Sequence, residues 1–351
     1  KMLYRDAEIL IFDEPTAVLT PQEIEYLRII MNELRKKGKT IILITHKLEE
    51  IKQIADRCAI LRRGKLIEII KTSEKSTQEM ANLMVGRNVS LKLSKNPANF
   101  GKTVLEVEHL TVQNEDHFNV VNDVSFQIRA GEIFAIAGVS GNGQVELADA
   151  IAGLCAAHNG KISLNGKDIT QMSIRKRTES GISYIPEDRQ KYGIVLDLPL
   201  YENLALKSFY KQLFSVKGIL KKEKLLEHAE KLVGQYDVRS GQGTETITRS
   251  LSGGNQQKAI LAREISLNSD LMIFVQPTRG MDIGAIENIQ KIILAERDAG
   301  KAILLISLEL EDILALADTI GIIFNGKILK TALNEEFTPQ EIGEYMMGVK
   351  Q

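Results

Sequence analysis

The sequence has few cysteines, with only Cys58 and Cys155 among 351 residues. Two thiols can form neither a zinc ribbon nor a disulfide framework, so a reducing cytosol is expected. An excess of one charge is also missing, because 45 Lys and Arg residues stand against 46 Asp and Glu residues, for a net charge of -1. This balance argues against a protein that coats nucleic acid and against a polybasic membrane anchor.

Long apolar runs are absent as well. No stretch reaches the length of about 18 residues that a membrane span needs, so we predict that the chain has no membrane span of its own. The first residues, Lys1–Asp6, do not resemble a signal peptide. The sequence also starts with Lys1 in place of an initiator Met and runs directly into a strand, so we expect the chain to begin inside a longer protein.

What is present is an ordinary globular composition with an internal repeat. At about 150 residues per domain, the length suggests two or three domains. Residues 9–16 (ILIFDEPT) recur at 271–278 as LMIFVQPT, 262 residues later, and the register persists through Gly38-Lys39 and Gly300-Lys301. We therefore predict the C-terminal part of one unit over residues 1–90, a linker over 91–101 and a complete second unit over 102–351.

Apolar strands that alternate with helices characterise the complete unit and predict a parallel α/β sheet. Alternating segments at 104–113 and 120–129 predict antiparallel strands. Residues 200–240 are predicted to be helical and charged. The other predicted elements are strands at 133–137, 271–275 and 302–307, a Gly-rich turn with its helix over 138–153, and helices from about 254 and at 285–299.

The most specific motif is Leu251-Ser252-Gly253-Gly254-Asn255-Gln256-Gln257, at the start of a predicted helix. On its own it is also explained by a Ser N-cap and two turn glycines. Ahead of the strand that ends at Gln276, it resembles the signature of ABC-transporter ATPases. The resemblance implies nucleotide contacts from Ser252, Gly253, Gly254 and Gln256. It also implies a P-loop NTPase fold with a parallel α/β core, an antiparallel β subdomain and a helical subdomain, plus the C-terminal part of a second such domain.

Two carboxylates end the first apolar strand, in Ile9–Thr16. The resemblance makes this segment a Walker B motif, in which Asp13 holds Mg²⁺ and Glu14 acts as general base on the attacking water. The alternative is a solvated acidic turn before a proline. His46 ends the next apolar strand and matches the switch histidine of the family, whereas His109, His117, His158 and His228 have no such context.

A glycine-rich turn at 138–145 has the glycine spacing of a P-loop, GxxxxGK[ST], but Gln144 stands in place of Lys and Val145 in place of the hydroxyl residue. The predicted phosphate-binding residues are Gly138, Gly141, Asn142, Gly143 and Gln144. In the second unit Val275, Gln276 and Leu308 replace the counterparts of Asp13, Glu14 and His46. We therefore predict that this site does not hydrolyse ATP.

Other motifs of the family are also found in this sequence with one or more residues replaced. Glu187 stands where the family's Q-loop has Gln, at a nucleotide-binding position. Residues 278–282 match the D-loop region, and residues 17–20 match it without its Asp. Phe118 is a candidate for stacking on adenine, although packing in the core is the preferred interpretation.

The resemblance implies two ATPase domains in tandem, with each nucleotide held between the P-loop of one and the signature of the other. The competent site would combine the first unit's Asp13, Glu14 and His46 with the second unit's signature and with an upstream P-loop. The degenerate site would combine residues 138–144 with an upstream signature. Each site is then half present, and this fragment alone is expected to be inactive.

The pattern of a fused pair with a degenerate second half resembles the ribose- and galactose-type sugar importers, and most nearly their nucleoside-import branch. It implies ATP and Mg²⁺ as cofactors and transmembrane permease subunits as partners. It further implies a solute-binding lipoprotein as an indirect partner, no nucleic acid as a partner, and a location at the cytoplasmic face of the plasma membrane. The alternatives are a soluble double-ABC ATPase of translation or repair and a non-catalytic nucleotide-binding scaffold.

Overall fold

The computed structural model describes residues 7–16, 19, 21–62, 64–90 and 93–350. Two compact units emerge from it, one formed by residues 1–94 with 282–288 and the other by 95–281 with 289–351. The D-loop counterpart at residues 17–20 lies outside the described residues except for Leu19. In the part of the chain that is described, no helix has the length and apolar character needed to cross a membrane.

The first unit contains short strands and helices in alternation. They are β1 (Ile9–Asp13), α1 (Pro21–Lys36), β2 (Thr40–Ile44), α2 (Leu48–Ile54), β3 (Arg57–Arg62), β4 (Lys65–Lys71) and α3 (Thr77–Val85). Strands β1 and β2 pair in parallel, and β3 and β4 form an antiparallel hairpin. A capping box at Ser76 starts α3, and Gly86 ends it in the left-handed conformation.

The second unit begins with a β-rich part. Its elements are β5 (Thr103–Gln113), β6 (Asn119–Arg129), β7 (Ile133–Ala137), α4 (Gln144–Ala152), β8 (Asn159–Leu164), β9 (Lys167–Asp168), α5 (Ile174–Glu179) and β10 (Ile182–Ile185). Strands β6, β5, β8 and β9 form an antiparallel sheet in that order, as the alternating pattern predicts.

Helices and the rest of the central sheet follow. These elements are α6 (Leu200–Ala205), β11 (Ser215–Val216), β12 (Ile219–Leu220), α7 (Lys222–Gln235), α8 (Gly253–Ser266), β13 (Leu271–Val275), α9 (Ile283–Asp298), β14 (Ala302–Ile306), α10 (Leu310–Leu316), β15 (Thr319–Phe324), β16 (Lys327–Leu333) and α11 (Pro339–Met346). The central sheet has the order β10-β13-β14-β7-β15-β16, and all its pairs are parallel except β15–β16.

The helical segment predicted over residues 200–240 is confirmed only for α6 and α7. A β-hairpin interrupts it, because Lys217 and Gly218 both take positive φ angles, 50° and 83°. This is the backbone of a two-residue type I′ turn, which joins antiparallel strands. The interpretation that Phe118 packs in the core is also wrong, because this residue is 70% exposed next to the β5–β6 turn.

Elements of the first unit recur 262 residues later with the same bounds. Strands β1 and β2 correspond in length to β13 and β14, and α1 and α2 to α9 and α10. Even the register shift between Ile60 and Leu61 in the β3–β4 hairpin recurs between Ile322 and Ile323 in β15–β16. The repeated sequence therefore folds into repeated local structure.

The two copies differ in how far their strands are covered. In the second unit Leu271, Ile273, Leu304 and Ile306 are at most 1% exposed, inside a core that includes Leu147 and Ile151 of α4. Their first-unit counterparts, Ile9, Ile11, Ile42 and Ile44, are 60%, 54%, 47% and 50% exposed. One face of the β1–β2 pair is thus an apolar surface.

Candidate functional site

In the first unit a carboxylate and an imidazole meet at the carboxyl ends of β1 and β2. The backbone N–H of Glu14 donates to the Ile44 carbonyl at 2.8 Å, and Glu14 takes a φ of +44°. From this turn Glu14 Oε1 lies 2.8 Å from His46 Nδ1. An ionised carboxylate can only accept, so the imidazole donates from Nδ1. The contact orients the Glu14 carboxylate, whose side chain is 40% exposed.

A second set of contacts fixes the turn after β1. Thr16 donates from Oγ1 to Glu50 at 2.5 Å, and Thr45 donates to the other oxygen of Glu50 at 3.1 Å. Glu50 is buried in the first turn of α2. The sequence analysis missed these residues. The signal available was the repeat, because Thr278 donates from its hydroxyl to Asp312 at the equivalent positions.

Asp13 is the last residue of β1, and its side chain is exposed. Carboxylate oxygen is a ligand type that Mg²⁺ prefers, and protein sites for this ion commonly provide one or two carboxylates and leave the other positions to water and substrate phosphates. Within the described ranges no group of three His, Cys, Asp or Glu side chains can hold a metal. The exposed carboxylate of Asp13 fits an ion whose other ligands are water and substrate phosphates.

In the second unit the turn after β13 has the same backbone conformation as the turn after β1, but it lacks the charged side chains. Gln276 has a φ of +51°, and its N–H donates to the Ile306 carbonyl at 2.8 Å. Its side-chain Oε1 accepts from the Leu308 backbone N–H at 3.3 Å, so an amide takes the place of the carboxylate–imidazole contact. Val275 is fully buried. These residues offer neither an anionic metal ligand nor a base.

Between β7 and α4 the predicted phosphate loop is a tight turn. Gly143 has a φ of +97°, and a Cβ there would lie 2.2 Å from the Val120 carbonyl oxygen, so only glycine fits. Asn142 Nδ2 donates to the Val139 carbonyl at 3.1 Å, and its Oδ1 accepts from the Asn325 N–H at 2.8 Å. The backbone conformation is thus fixed without a ligand.

Gln144 occupies the lysine position of that loop. It is 4% exposed, and its Nε2 donates to the Val139 carbonyl at 2.9 Å across the turn. A Cβ on Gly138 would come within 2.7 Å of that nitrogen. The amide ties the loop to itself and brings no positive charge. The turn ends at the N-terminus of α4, where N–H groups favour an anion.

At the predicted signature, Ser252 is the N-cap of α8 and accepts from the Asn255 N–H. A Cβ on Gly254 would meet nothing within 4 Å, so this part of the backbone is open to a ligand. Gln256 is placed differently. It is 1% exposed, and its Nε2 donates to the Thr248 carbonyl at 3.2 Å inside the unit.

Glu187 lies in the loop after β10 and accepts a hydrogen bond from the guanidinium of Arg279, in the loop after β13. The sequence analysis did not pair these two residues. It also missed Gln257, whose Nε2 donates to the Pro277 carbonyl at 3.2 Å and links α8 to the turn after β13. The sequence contains no local signal for either contact.

The remaining histidines differ in surroundings. His109 contacts Asp123 on the surface at 2.7 Å. His228 packs on Phe214, its Nε2 has no hydrogen-bond partner among the described residues, and burial lowers its pKa. The candidate residues Asp13, Glu14 and His46 belong to the first unit, and all the others belong to the second.

Comparisons with solved structures concern the fold alone. A dimeric ATP-binding cassette, MJ0796, bound to ADP and Pi has a TM-score of 0.57 and 18% identity, and the match covers 66% of this chain and all of that one. A nucleotide-free ATP-binding cassette has a TM-score of 0.56 at 22% identity, covering 67% of this chain and 92% of that one. The predicted P-loop ABC ATPase fold is confirmed.

Sequence comparisons identify the family. The ABC transporter family model matches residues 121–279. The guanosine import ATP-binding protein NupO of Bacillus subtilis (strain 168) is 51% identical over 351 residues, which are all of this chain and 69% of NupO. The nucleoside import ATP-binding protein NupA of Lactococcus lactis subsp. cremoris (strain MG1363) is 49% identical, over 99% of this chain and 69% of NupA. The chain belongs to the ABC transporter ATP-binding proteins of the nucleoside and sugar import type.

Proposed function

We propose that this chain couples ATP hydrolysis to the uptake of a nucleoside, with a competent catalytic set in the first unit and a degenerate one in the second. NupO and NupA, named for guanosine and nucleoside import, support the substrate class. Ribose import ATP-binding protein RbsA of Clostridium tetani, at 34% identity, supports a simple sugar as the alternative substrate. These relatives do not favour a role in translation or repair.

One observation carries the assignment of the two catalytic sets. At equivalent turns, with the same positive φ and the same backbone hydrogen bond, Glu14 contacts an imidazole whereas Gln276 contacts a backbone N–H. Because the backbone is alike at the two turns, the difference in chemistry comes from the side chains of Glu14 and Gln276. A carboxylate can take a proton from water and a carboxamide cannot.

The proposed mechanism uses the residues of the first unit as follows. His46 holds Oε1 of Glu14 at 2.8 Å, which leaves the other carboxylate oxygen to orient a water and accept its proton. Asp13 would hold Mg²⁺ together with substrate phosphates. When bound, this ion neutralises charge that develops on the phosphates. In the second unit, residues 138–144 form a phosphate cradle of backbone N–H groups without a lysine.

We propose further that a lysine-bearing phosphate loop comes from outside these residues, in a protein with two fused ATPase domains. The 351 residues contain no complete GxxxxGK[ST] sequence. The expected consequence is negligible Mg²⁺-dependent phosphate release from this chain alone. Robust turnover by the isolated chain would contradict this part of the proposal.

Transmembrane permease subunits are the partners that fit an import ATPase, and they would dock on residues 187–250. A solute-binding lipoprotein would act through the permease. The proposed location is the cytoplasmic face of the plasma membrane, as a peripheral subunit, which follows from the proposed partnership with the permease. Co-purification of the permease with the full-length protein tests the partnership.

The decisive experiment compares two substitutions in the full-length transporter reconstituted in liposomes. Glu14→Gln is expected to lower ATP turnover by about 100-fold or more, since it removes the general base. Gln276→Ala, its matched control, is expected to change turnover by less than about threefold. Similar losses from both would refute the assignment. Uptake of labelled guanosine and ribose by the same liposomes decides between the substrate classes.

A further inference from the structure

The loop that follows β10 contacts two other segments of the second unit. Glu187 accepts from Arg279, which lies 92 residues later in the loop after β13. Gln190 Nε2, in the same loop as Glu187, donates to Oε1 of Gln256 in α8 at 3.2 Å. One loop is therefore attached both to the turn after β13 and to the first turns of α8.

These contacts lie at the edge of the sheet where a ligand is expected. Strands β10 and β13 are parallel neighbours, with Ile185 opposite Phe274, so the loops of Glu187 and Arg279 leave the sheet at its carboxyl edge. Open α/β sheets bind ligands at this edge. The guanidinium of Arg189 also lies close to the signature, because a Cβ on Gly253 would come within 2.7 Å of it.

Stability does not explain the ion pair well. The side chains of Arg279 and Glu187 are 52% and 30% exposed, and ion pairs of this exposure contribute little to folding. Charge and orientation explain it better. A lone carboxylate at this edge would repel a phosphate, whereas one held by a guanidinium is neutralised and fixed in direction.

We propose that Arg279 is a positioning residue of the ATPase cycle. It holds Glu187 as a counterion, so that Glu187 is not a nucleotide ligand, and through the loop of Gln190 it sets the orientation of the first turn of α8. This inference rests on the proposed function, because the effect is read in ATP turnover. It reassigns Glu187 from the nucleotide-binding set to a structural link between two nucleotide-facing loops.

Charge reversal in the full-length transporter complex tests the pair. R279E and E187R are each expected to lower kcat for ATP by about tenfold and to leave KM for ATP within about twofold, because misplacement of a segment affects turnover more than binding. The double variant E187R/R279E is expected to recover kcat to within about threefold of wild type. A merely structural role for one of the residues would not give this recovery.

The matched control is the exposed pair of Lys161 and Glu108, whose atoms lie 3.3 Å apart in the same unit, outside residues 187–250, with side chains 51% and 46% exposed. K161E is expected to change kcat by less than about twofold. The inference is overturned if R279E behaves like K161E, or if the double variant is no better than the single ones. If charge reversal prevents folding, R279Q replaces R279E, and its unfolding midpoint is measured to show that it folds. The inference then requires that R279Q also lowers kcat. A wild-type complex without turnover would instead refute the proposed function.

Discussion

In the isolated 351-residue chain, the same substitution at two equivalent positions should destabilise one unit and leave the stability of the other almost unchanged. Ile11 in β1 and Ile273 in β13 occupy corresponding places in the repeat, but Ile11 is 54% exposed and Ile273 is fully buried. Ile273 packs in the core that contains Leu147 of α4. We compare Ile11→Thr with Ile273→Thr because threonine keeps the β-branched shape that strands favour.

The magnitudes follow from burial. At Ile273 the change removes a buried methyl group, worth about 1 kcal/mol, and buries a hydroxyl, worth about 1–3 kcal/mol. The expected loss of unfolding free energy is about 2–4 kcal/mol, or roughly 30- to 1000-fold in the opening equilibrium. At Ile11 the expected change is within about 0.5 kcal/mol, and self-association should decrease because the apolar face becomes more polar.

Amide hydrogen exchange measured by mass spectrometry resolves the two strands separately, which suits a chain with two compact units. Peptides covering residues 271–275 should lose protection in Ile273→Thr and keep it in Ile11→Thr. Light scattering at equal concentration should fall only in Ile11→Thr. Equal loss of protection at both strands, or unchanged scattering in Ile11→Thr, would refute the reasoning from exposure.

Two further predictions concern buried groups of the second unit. Burial alone would raise the pKa of Glu264, but Lys207 and Arg263 hold it below the ordinary value of 4.5. Its stabilisation is therefore complete above that pH and lost as the pH falls through the lowered pKa. Glu264→Gln is expected to cost about 3–5 kcal/mol at pH 7 and to flatten the acid limb of a urea-unfolding series, and an unchanged acid limb would contradict this. Burial raises the pKa of Cys155 to about 11. Native protein at pH 7.5 should accordingly react with iodoacetamide at Cys155 far more slowly than the urea-unfolded chain, and equal labelling rates would contradict this.

Five strands of the second unit were predictable because their side chains alternate or form an apolar run, namely β5, β6, β7, β13 and β14. Five consecutive apolar residues at 271–275 form β13 with those bounds. The hairpin at β11–β12 escaped prediction because its signal is one turn, Lys217-Gly218, inside a charged and helix-favouring sequence. The ion pair of Glu187 and Arg279 could not be predicted, since it depends on two strands becoming neighbours in the sheet.

The turn after β1 and its counterpart after β13 show how geometry and chemistry separate. Glu14 and Gln276 both keep a positive φ, a conformation that non-glycine residues avoid at a cost of about 1–3 kcal/mol. In both units the same backbone hydrogen bond to the neighbouring strand offsets this cost, whichever side chain is present. The turn is therefore a property of the fold, and the presence of the turn alone does not make a site competent.

This separation predicts the outcome of restoring the missing groups. The double variant Gln276→Glu with Leu308→His should recreate the carboxylate–imidazole contact, visible as a downfield Nδ1 proton in NMR, since the backbone already places the two positions within reach. It should not restore hydrolysis at the second site, because Gln144 still supplies no positive charge to the phosphates and Val275 still supplies no metal ligand. The background for the assay is Glu14→Gln, which is expected to remove most turnover by the first unit. Adding Gln144→Lys should be needed before any turnover returns, and hydrolysis by the double variant alone would show that the phosphate-loop charge is dispensable.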